Sequence, residues 1–176
     1  GQISVAYHSI VNARDQAIVG HEALLRWEHP TRGFISPAIF VPIAEEAGLI
    51  NQIGDWALHS ACAEAANWPA HIRLSVNLSS FQVEGNGLLA SVVHALAASG
   101  LSADRLELEV TESVFLRQGN NGDEALERLR SIGVSLALDD FGTGYSSLGY
   151  LRRAAFSTIK VDRSFVKSAA KGSQDS

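Results

Sequence analysis

The spacing of apolar and polar positions predicts a hairpin followed by alternating strands and helices. Two β-rich segments, 3–11 and 17–27, are separated by only a few turn residues, 12–16. Because a parallel crossover needs about a dozen residues or more, we expect these two strands to pair as an antiparallel hairpin. Further strands are predicted at 72–78, 106–111, 134–138 and 158–161. Helices are predicted over most of 37–67, with a break near Gly48. Three more helices are predicted at about 88–98, 123–132 and 147–153.

Local signals mark the ends of several predicted helices. Ser36 and Pro37 have the pattern of an N-cap followed by proline at the first helical position. Gly100 and Gly133 follow apolar runs and are expected to end two later helices. The alternation after the hairpin favours an α/β fold with a parallel sheet and covering helices. We count six strands, whereas a closed eight-stranded barrel takes about 250 residues.

Oxygen-bearing side chains recur where the predicted strands end. Glu22, Asn77, Glu109 and the pair Asp139-Asp140 each follow an apolar run. The carboxyl ends of parallel strands meet at one edge of a sheet, which predicts a shared site. Oxygen ligands without sulfur or imidazole suit Mg²⁺, Mn²⁺ or Ca²⁺ rather than a structural zinc. Two carboxylates about 5 Å apart repel by roughly 3 kcal/mol at an effective dielectric of about 20, so a pair of divalent cations would stabilise the arrangement.

Each of these residues also has an ordinary structural interpretation when it is taken alone. A strand glutamate is commonly a salt-bridge partner, adjacent aspartates commonly form a turn or cap, and Asn77 has the sequence context of a cap for the next helix. Lys160 either offsets charge on a phosphoryl oxygen or extends from its strand end into solvent. Arg26 either binds a phosphate or pairs with Glu28 or Glu45. The joint pattern favours the shared metal centre.

Composition narrows the class of protein. The 176 residues are 46% hydrophobic and 19% charged, which is typical of one globular domain. A net charge of −5 argues against binding of duplex nucleic acid through a basic face. We expect no membrane segment, because no run is apolar enough to span a bilayer. The single cysteine, Cys62, excludes an internal disulfide and is expected to be a small buried apolar group, which allows a reducing compartment.

A series of motifs, in order along almost the whole chain, resembles those of one protein family. They are Glu22-Ala23-Leu24-Leu25-Arg26-Trp27, Asn77-Leu78-Ser79, Glu109-Val110-Thr111-Glu112, Asp139-Asp140-Phe141-Gly142-Thr143-Gly144-Tyr145-Ser146-Ser147 and Ile159-Lys160-Val161-Asp162-Arg163-Ser164-Phe165. The chain resembles the EAL domains, the phosphodiesterases of the bacterial messenger cyclic di-GMP. The resemblance is specific because the motifs occur together, whereas the tripeptide Glu-Ala-Leu alone would carry no information.

The resemblance implies a fold and a cofactor. The fold is a TIM-like (β/α) barrel with an antiparallel first strand, here incomplete with about six of eight strands. It is a single EAL-type domain over residues 1–176 that lacks the C-terminal part of the barrel. The cofactor is a pair of Mg²⁺ or Mn²⁺ ions. The implied metal ligands are Glu22, Asn77, Glu109, Asp139 and Asp140.

The resemblance also implies roles for residues around the metals. Lys160 is implied as a catalytic residue that helps to position the bridging water. Glu112 is implied to steady the loop after the adjacent aspartates, a loop linked in the family to activation and dimer formation. Leu25, Arg26 and Asp162 are implied to contact the bound dinucleotide. The implied reaction is hydrolysis of one phosphodiester of cyclic di-GMP to linear pGpG.

Two departures from the family pattern affect the expected activity. Tyr7-His8-Ser9 stands where the family usually has Tyr-Gln-Pro. The later glutamate motif, which contains the candidate general base, and the glutamine motif that follows it are both absent from these residues. We therefore expect the chain alone to be a weak or inactive enzyme. The alternative is a non-catalytic module for cyclic di-GMP binding or dimerisation.

The expected open wall of the barrel has three explanations. The chain is a piece of a longer protein, which we favour, or a natural truncation stabilised by a partner, or an assembly that swaps elements between chains. The resemblance predicts a homodimer through the loop after Asp140 and sensory or GGDEF domains in the full-length protein. We expect a location in the bacterial cytoplasm, with tethering by N-terminal domains as a further expectation.

Overall fold

The strands and helices follow one another in the order predicted from the sequence. The computed structural model of the chain describes residues 1–111, 114, 121–142 and 156–162. The strands are β1 (Ile3–Val11), β2 (Ile18–His29), β3 (Gly33–Ile35), β4 (Arg73–Asn77), β5 (Leu106–Thr111), β6 (Ser135–Phe141) and β7 (Thr158–Val161). The helices are α1 (Pro37–Glu46), α2 (Ile50–Ala65), α3 (Ser80–Glu84), α4 (Leu88–Ser99) and α5 (Asn121–Ser131), with a 3₁₀ turn at Ala103–Arg105.

The sheet combines a reversed first strand with parallel neighbours. β1 and β2 form the predicted antiparallel hairpin, in which Ile3 pairs with Trp27. The strand order is β1-β2-β4-β5-β6-β7, and every pair from β2 onward along this path is parallel. Within the described residues no pairing joins β1 to β7, so the sheet is an open arc. The expected α/β topology with an antiparallel first strand is confirmed.

Three short elements were not predicted, one of them the 3₁₀ turn at Ala103–Arg105. β3 is a three-residue strand that pairs antiparallel with the end of β2, where Trp27 lies opposite Ile35. α3 has five residues and begins after Ser79, whose hydroxyl accepts a hydrogen bond from the backbone N–H of Phe81. The count of six strands is therefore one too low, because a three-residue strand leaves too short a pattern to detect.

The predicted helix ends agree with the backbone. The Ser36 hydroxyl accepts a hydrogen bond from the backbone N–H of Ala38 and caps α1. Gly48 lies in the break between α1 and α2 with a φ of 69°. Gly100 ends α4 in the left-handed conformation that glycine adopts without strain. The predicted helix at 147–153 lies outside the described residues.

The apolar core lies between the helices and one face of the sheet. Leu74 and Val76 of β4 and Leu108 of β5 are buried in this core together with Leu58 and Cys62 of α2. Burial raises the pKa of the Cys62 thiol to about 12, which agrees with its predicted role as a small apolar group. Because strand side chains alternate between faces, the polar residues of β4 and β5 point to the opposite, inner face.

In the part of the chain that the structure describes, no helix combines the length and the apolar character that a membrane crossing requires.

Candidate metal centre

The inner face of the sheet brings together side chains from separate strands. Glu22 lies on β2, Asn77 ends β4, Glu109 lies on β5 and Asp139 on β6. Asn77 pairs with Glu109 across β4 and β5, which places these two residues side by side. The strands run parallel from β2 onward, so their carboxyl ends meet at one edge, as predicted.

Three carboxylates converge at this edge. Glu22, Glu109 and Asp139 each offer an oxygen, and these atoms all lie within 4.8 Å of one another. The Nζ atom of Lys160 on β7 lies 2.6 Å from Glu109 Oε2, 3.4 Å from Glu22 Oε2 and 3.6 Å from Asp139 Oδ2. Lys160 therefore does not extend into solvent. One ammonium group faces three carboxylates, so the cluster can still accept positive charge.

Glu109 is the most enclosed member of this cluster. Its residue is 1% exposed, and its Oε1 atom is buried without a hydrogen-bond partner among the described residues. Burial raises the pKa of Glu109 to about 7, the hydrogen bond from Lys160 opposes this rise, and the charges of Glu22 and Asp139 add to it. A buried carboxylate oxygen without a donor fits a cation ligand, because such an atom otherwise lowers stability.

Lys160 keeps its proton in this environment. Burial lowers the pKa of Lys160, but the hydrogen bond to Glu109 and the charges of Glu109, Glu22 and Asp139 outweigh it, so the pKa is raised overall. The ammonium group is therefore a permanent cation at neutral pH. It can donate hydrogen bonds but does not accept a proton.

Asn77 faces the cluster rather than the next helix. Its Nδ2 atom donates a 2.8 Å hydrogen bond to Glu22 Oε1. The cap of α3 is Ser79, whose backbone N–H donates to Gln82 Oε1 at 3.1 Å in a capping box. The segment that begins at Asn77 therefore does cap the next helix, through Ser79, whereas the Asn77 side chain itself contacts Glu22.

Asp140 lies beside the cluster but is not one of the converging carboxylates. It has a φ of 54°, a left-handed conformation that aspartate tolerates better than most residues. Its backbone N–H donates to Asp139 Oδ1 at 2.9 Å. Burial raises its pKa, and the charges of Asp139 and Asp162 raise it further. The structure thus places Asp140 at the exposed rim of the centre.

The predicted dinucleotide contacts lie at the same end of the sheet. Arg26 Nη1 donates to the Leu25 carbonyl at 2.9 Å, and within the described residues it forms no ion pair with either glutamate considered from the sequence. By strand alternation Leu25 faces away from Glu22, whereas Leu24 and Arg26 share its face. Leu24 and Leu25 both line a cavity of about 400 Å³ that extends to Asn77.

A set of supporting residues was not predicted. Ser79 Oγ donates to Glu45 Oε1 at 2.5 Å, which links α1 to the segment just after Asn77. A Cβ atom at Gly54 of α2 would lie 2.2 Å from Gln82 Nε2, so glycine gives Gln82 the room to form the capping box. The sequence signal was the three-residue spacing from Ser79 to Gln82, which is that of a capping box.

Two predicted features fall outside the part of the chain that the structure describes. They are Glu112 and the loop after Asp140 from residue 143 onward. Their predicted roles, in steadying that loop and in dimer formation, therefore stay predictions.

Comparison with known proteins decides the family. A family model for the EAL domain matches residues 1–176. The chain belongs to the EAL domain family. This EAL domain is 47% identical over 174 residues to the uncharacterized protein y4lL of Sinorhizobium fredii, an alignment that covers 99% of the chain and 21% of that protein.

Two further relatives have names that describe an activity. Over 178 residues the domain is 44% identical to the bifunctional diguanylate cyclase/cyclic di-GMP phosphodiesterase MucR of Pseudomonas aeruginosa, covering 99% of the chain and 26% of that protein. The solved structure of the PaMucR phosphodiesterase in complex with c-di-GMP superimposes with a TM-score of 0.91 at 44% identity, covering 99% of the chain and 72% of that chain. The TIM-like fold is thereby confirmed. The chain spans about a fifth to a quarter of the length of the curated relatives it matches.

Proposed function

We propose that this EAL domain binds cyclic di-GMP through two divalent cations, Mg²⁺ or Mn²⁺, as part of a site that hydrolyses one phosphodiester to linear pGpG. The observation that carries the proposal is the convergence of Glu22, Glu109 and Asp139 within 4.8 Å. The buried and unpartnered Oε1 atom of Glu109 supports it, because a cation would satisfy that atom. The name of the MucR relative supports the choice of substrate.

The donor set fits hard divalent cations. The residues that would hold the ions offer only carboxylate and amide oxygens; they are Glu22, Asn77, Glu109, Asp139 and Asp140. When bound, such a pair of ions polarises a phosphoryl oxygen and makes a bound water more acidic. The chain itself supplies the rigid strand ends that hold these oxygens in place.

Lys160 would act as a hydrogen-bond donor in this site. Its raised pKa keeps the ammonium group charged, so it can hold a water molecule or a phosphate oxygen beside Glu109. In the metal-free site Lys160 is therefore a hydrogen-bond donor rather than a proton acceptor.

The contacts to the dinucleotide follow from positions around the metal centre. Arg26 shares a strand face with Glu22 and carries a guanidinium that suits a phosphate. Leu25 lines the neighbouring cavity, and Asp162 lies close enough to Asp140 to raise its pKa. Glu112 would steady the loop after Asp140, and that loop would form a homodimer contact. Sensory or GGDEF domains and a bacterial cytoplasmic location remain part of the proposal.

Calorimetry with cyclic di-GMP tests the proposed function. The domain is titrated in Mg²⁺, in Mn²⁺ and in EDTA, together with Glu109→Gln. The matched control is Glu124→Gln on α5, because Glu124 is exposed and pairs with neighbouring Arg128. We expect binding that needs a divalent cation, that Glu109→Gln abolishes and that the control retains.

Other outcomes separate the alternatives. Equal affinity in EDTA contradicts the metal-dependent site and favours the non-catalytic receptor. No binding under any condition contradicts the proposal for this chain. Chromatography of the same mixtures measures pGpG, and rapid turnover would contradict the expectation of weak activity.

A further inference from the structure

A second layer of polar side chains lies beneath the metal centre on the inner face of the sheet. Glu107 precedes Glu109 by two residues on β5, so both side chains point to the same face. Glu107 is 7% exposed. Its Oε1 atom accepts a 3.2 Å hydrogen bond from Ser75 Oγ, and its Oε2 atom accepts a 2.6 Å hydrogen bond from Thr158 Oγ1. A carboxylate in such a position needs these donors, because an unpaired buried charge is strongly destabilising.

This carboxylate connects strands that do not pair with each other. Thr158 lies on β7, whereas Glu107 lies on β5, and β6 runs between them. On β6, Ser135 pairs with Glu107 and the fully buried Ala137 pairs with Thr158, so the hydrogen bond crosses β6 diagonally. Because both of these side chains are small, the Glu107 side chain can cross β6 and reach β7.

β7 needs such a connection more than the other strands do. It has only four residues, and its pairing with β6 shifts register between Leu138 and Phe141. Ile159 and Val161 are about half exposed, so its other face contributes little burial among the described residues. The backbone pairing with β6 alone therefore fixes the position of β7 along the strand direction only weakly.

The hydrogen bond from Thr158 to Glu107 joins the same two strands as the ion pair between Lys160 and Glu109. Lys160 follows Thr158 by two residues and Glu109 follows Glu107 by two residues, so both contacts join β7 to β5 about 7 Å apart. Arg73 Nη2 lies 3.9 Å from Glu107 Oε2 and donates to Ser135 Oγ at 2.6 Å. Arg73 thus supplies a partial counter-charge for the lower carboxylate.

We infer that Glu107 is a positioning residue for the metal centre. Through its hydrogen bond with Thr158, Glu107 fixes the position of β7 along the strand direction relative to β5. The Lys160 ammonium group is thereby held against Glu109 among the converging carboxylates. The inference rests on the proposed function, because it concerns the same site. It assigns Glu107 no contact with substrate or metal.

Two substitutions at Thr158 test the inference. Thr158→Val removes the hydroxyl and keeps the β-branched shape, whereas Thr158→Ser keeps the hydroxyl. The matched control is Ser157→Ala, because the Ser157 hydroxyl donates to the Leu136 carbonyl rather than to Glu107. We measure the Mn²⁺ affinity of each variant by calorimetry. The ¹⁵N side-chain signal of Lys160 is recorded separately by NMR on the metal-free protein in EDTA. Thermal unfolding is recorded for each variant.

A positioning role for Glu107 predicts a specific pattern of results across the three variants. Thr158→Val should weaken Mn²⁺ binding at least about tenfold, as for other residues that orient metal ligands, and should shift or broaden the Lys160 signal. Thr158→Ser should restore both, and Ser157→Ala should leave both unchanged. A loss of thermal stability without a change in either readout overturns the inference, because Thr158 would then be merely structural.

The proposed function and the positioning role of Glu107 can fail separately. If wild type binds Mn²⁺ and Thr158→Val binds it equally well, the inference is wrong and the proposed function stands. If wild type binds no Mn²⁺, the proposed function is contradicted. The Lys160 signal then decides the inference alone, since a change in Thr158→Val but not in Thr158→Ser supports positioning and an unchanged signal refutes it.

Discussion

The buried carboxylate of Glu109 should make the metal-free fold sensitive to pH. Burial, opposed by Lys160, raises the pKa of Glu109 from 4.5 to about 7, which corresponds to about 3 kcal/mol. The folded state therefore binds this proton more tightly than the unfolded state. The free energy of unfolding should fall by about 3 kcal/mol as the pH rises from about 4.5 to 7, and it should stay low above pH 7.

Glu109→Gln isolates this effect, because glutamine keeps the volume of the side chain and carries no ionisable proton. In EDTA at pH 8 the variant should be more stable than wild type by about 3 kcal/mol, and the difference should shrink toward zero near pH 4. Urea unfolding at both pH values measures it. Glu124→Gln is the control, because Glu124 has a 65% exposed side chain and its pair with Arg128 contributes roughly 0.5 kcal/mol.

Two results would refute this reasoning. A gain of the same size at both pH values would show that it does not come from the ionisation of Glu109. A loss of stability at pH 8 would show that the attraction between Lys160 and Glu109 outweighs the burial of the carboxylate. Either result would also weaken the argument that the centre accepts further positive charge.

Three further predictions concern the site and its support. Mn²⁺ affinity should fall about tenfold per pH unit below pH 7, because Glu109 has to lose its proton; calorimetry from pH 5.5 to 8 measures it, and a flat profile contradicts it. Gly54→Ala should displace Gln82 and break the capping box at Ser79, which cancels the gain of about 1 kcal/mol that alanine brings over glycine inside a helix; a clearly higher urea midpoint contradicts it. Asp140→Ala should be about 1 kcal/mol less stable than Asp140→Asn in EDTA, because alanine is more strained at positive φ; equal stability contradicts it.

Much of the fold could be predicted because its signals are local. The hairpin follows from the few residues between two β-rich runs, and the helix ends follow from Ser36, Gly100 and Gly133. The short strand at Gly33–Ile35 could not be predicted, because it depends on pairing with the end of β2. The extension of β6 through Phe141 was missed for a similar reason, since Phe141 pairs with Val161 across a register shift.

The candidate site was predictable in its members but not in its contacts. Oxygen donors at strand ends indicated Glu22, Glu109 and Asp139, which the structure brings together. The period of two along β5 was enough to place Glu107 on the same face as Glu109. It did not reveal that Glu107 reaches β7, because that contact depends on the packing of strands distant in sequence.

Because β1 runs antiparallel to β2, its direction determines where a label or a protein fused ahead of Gly1 would lie. Ile3 lies opposite Trp27, which is five residues, or about 16 Å, past the level of Glu22 towards the mouth of the centre. In an all-parallel barrel the incoming chain would arrive at the far end. A fluorescent label or fused protein ahead of Gly1 would therefore sit at the rim of the pocket, where it could report ligand entry directly or obstruct it.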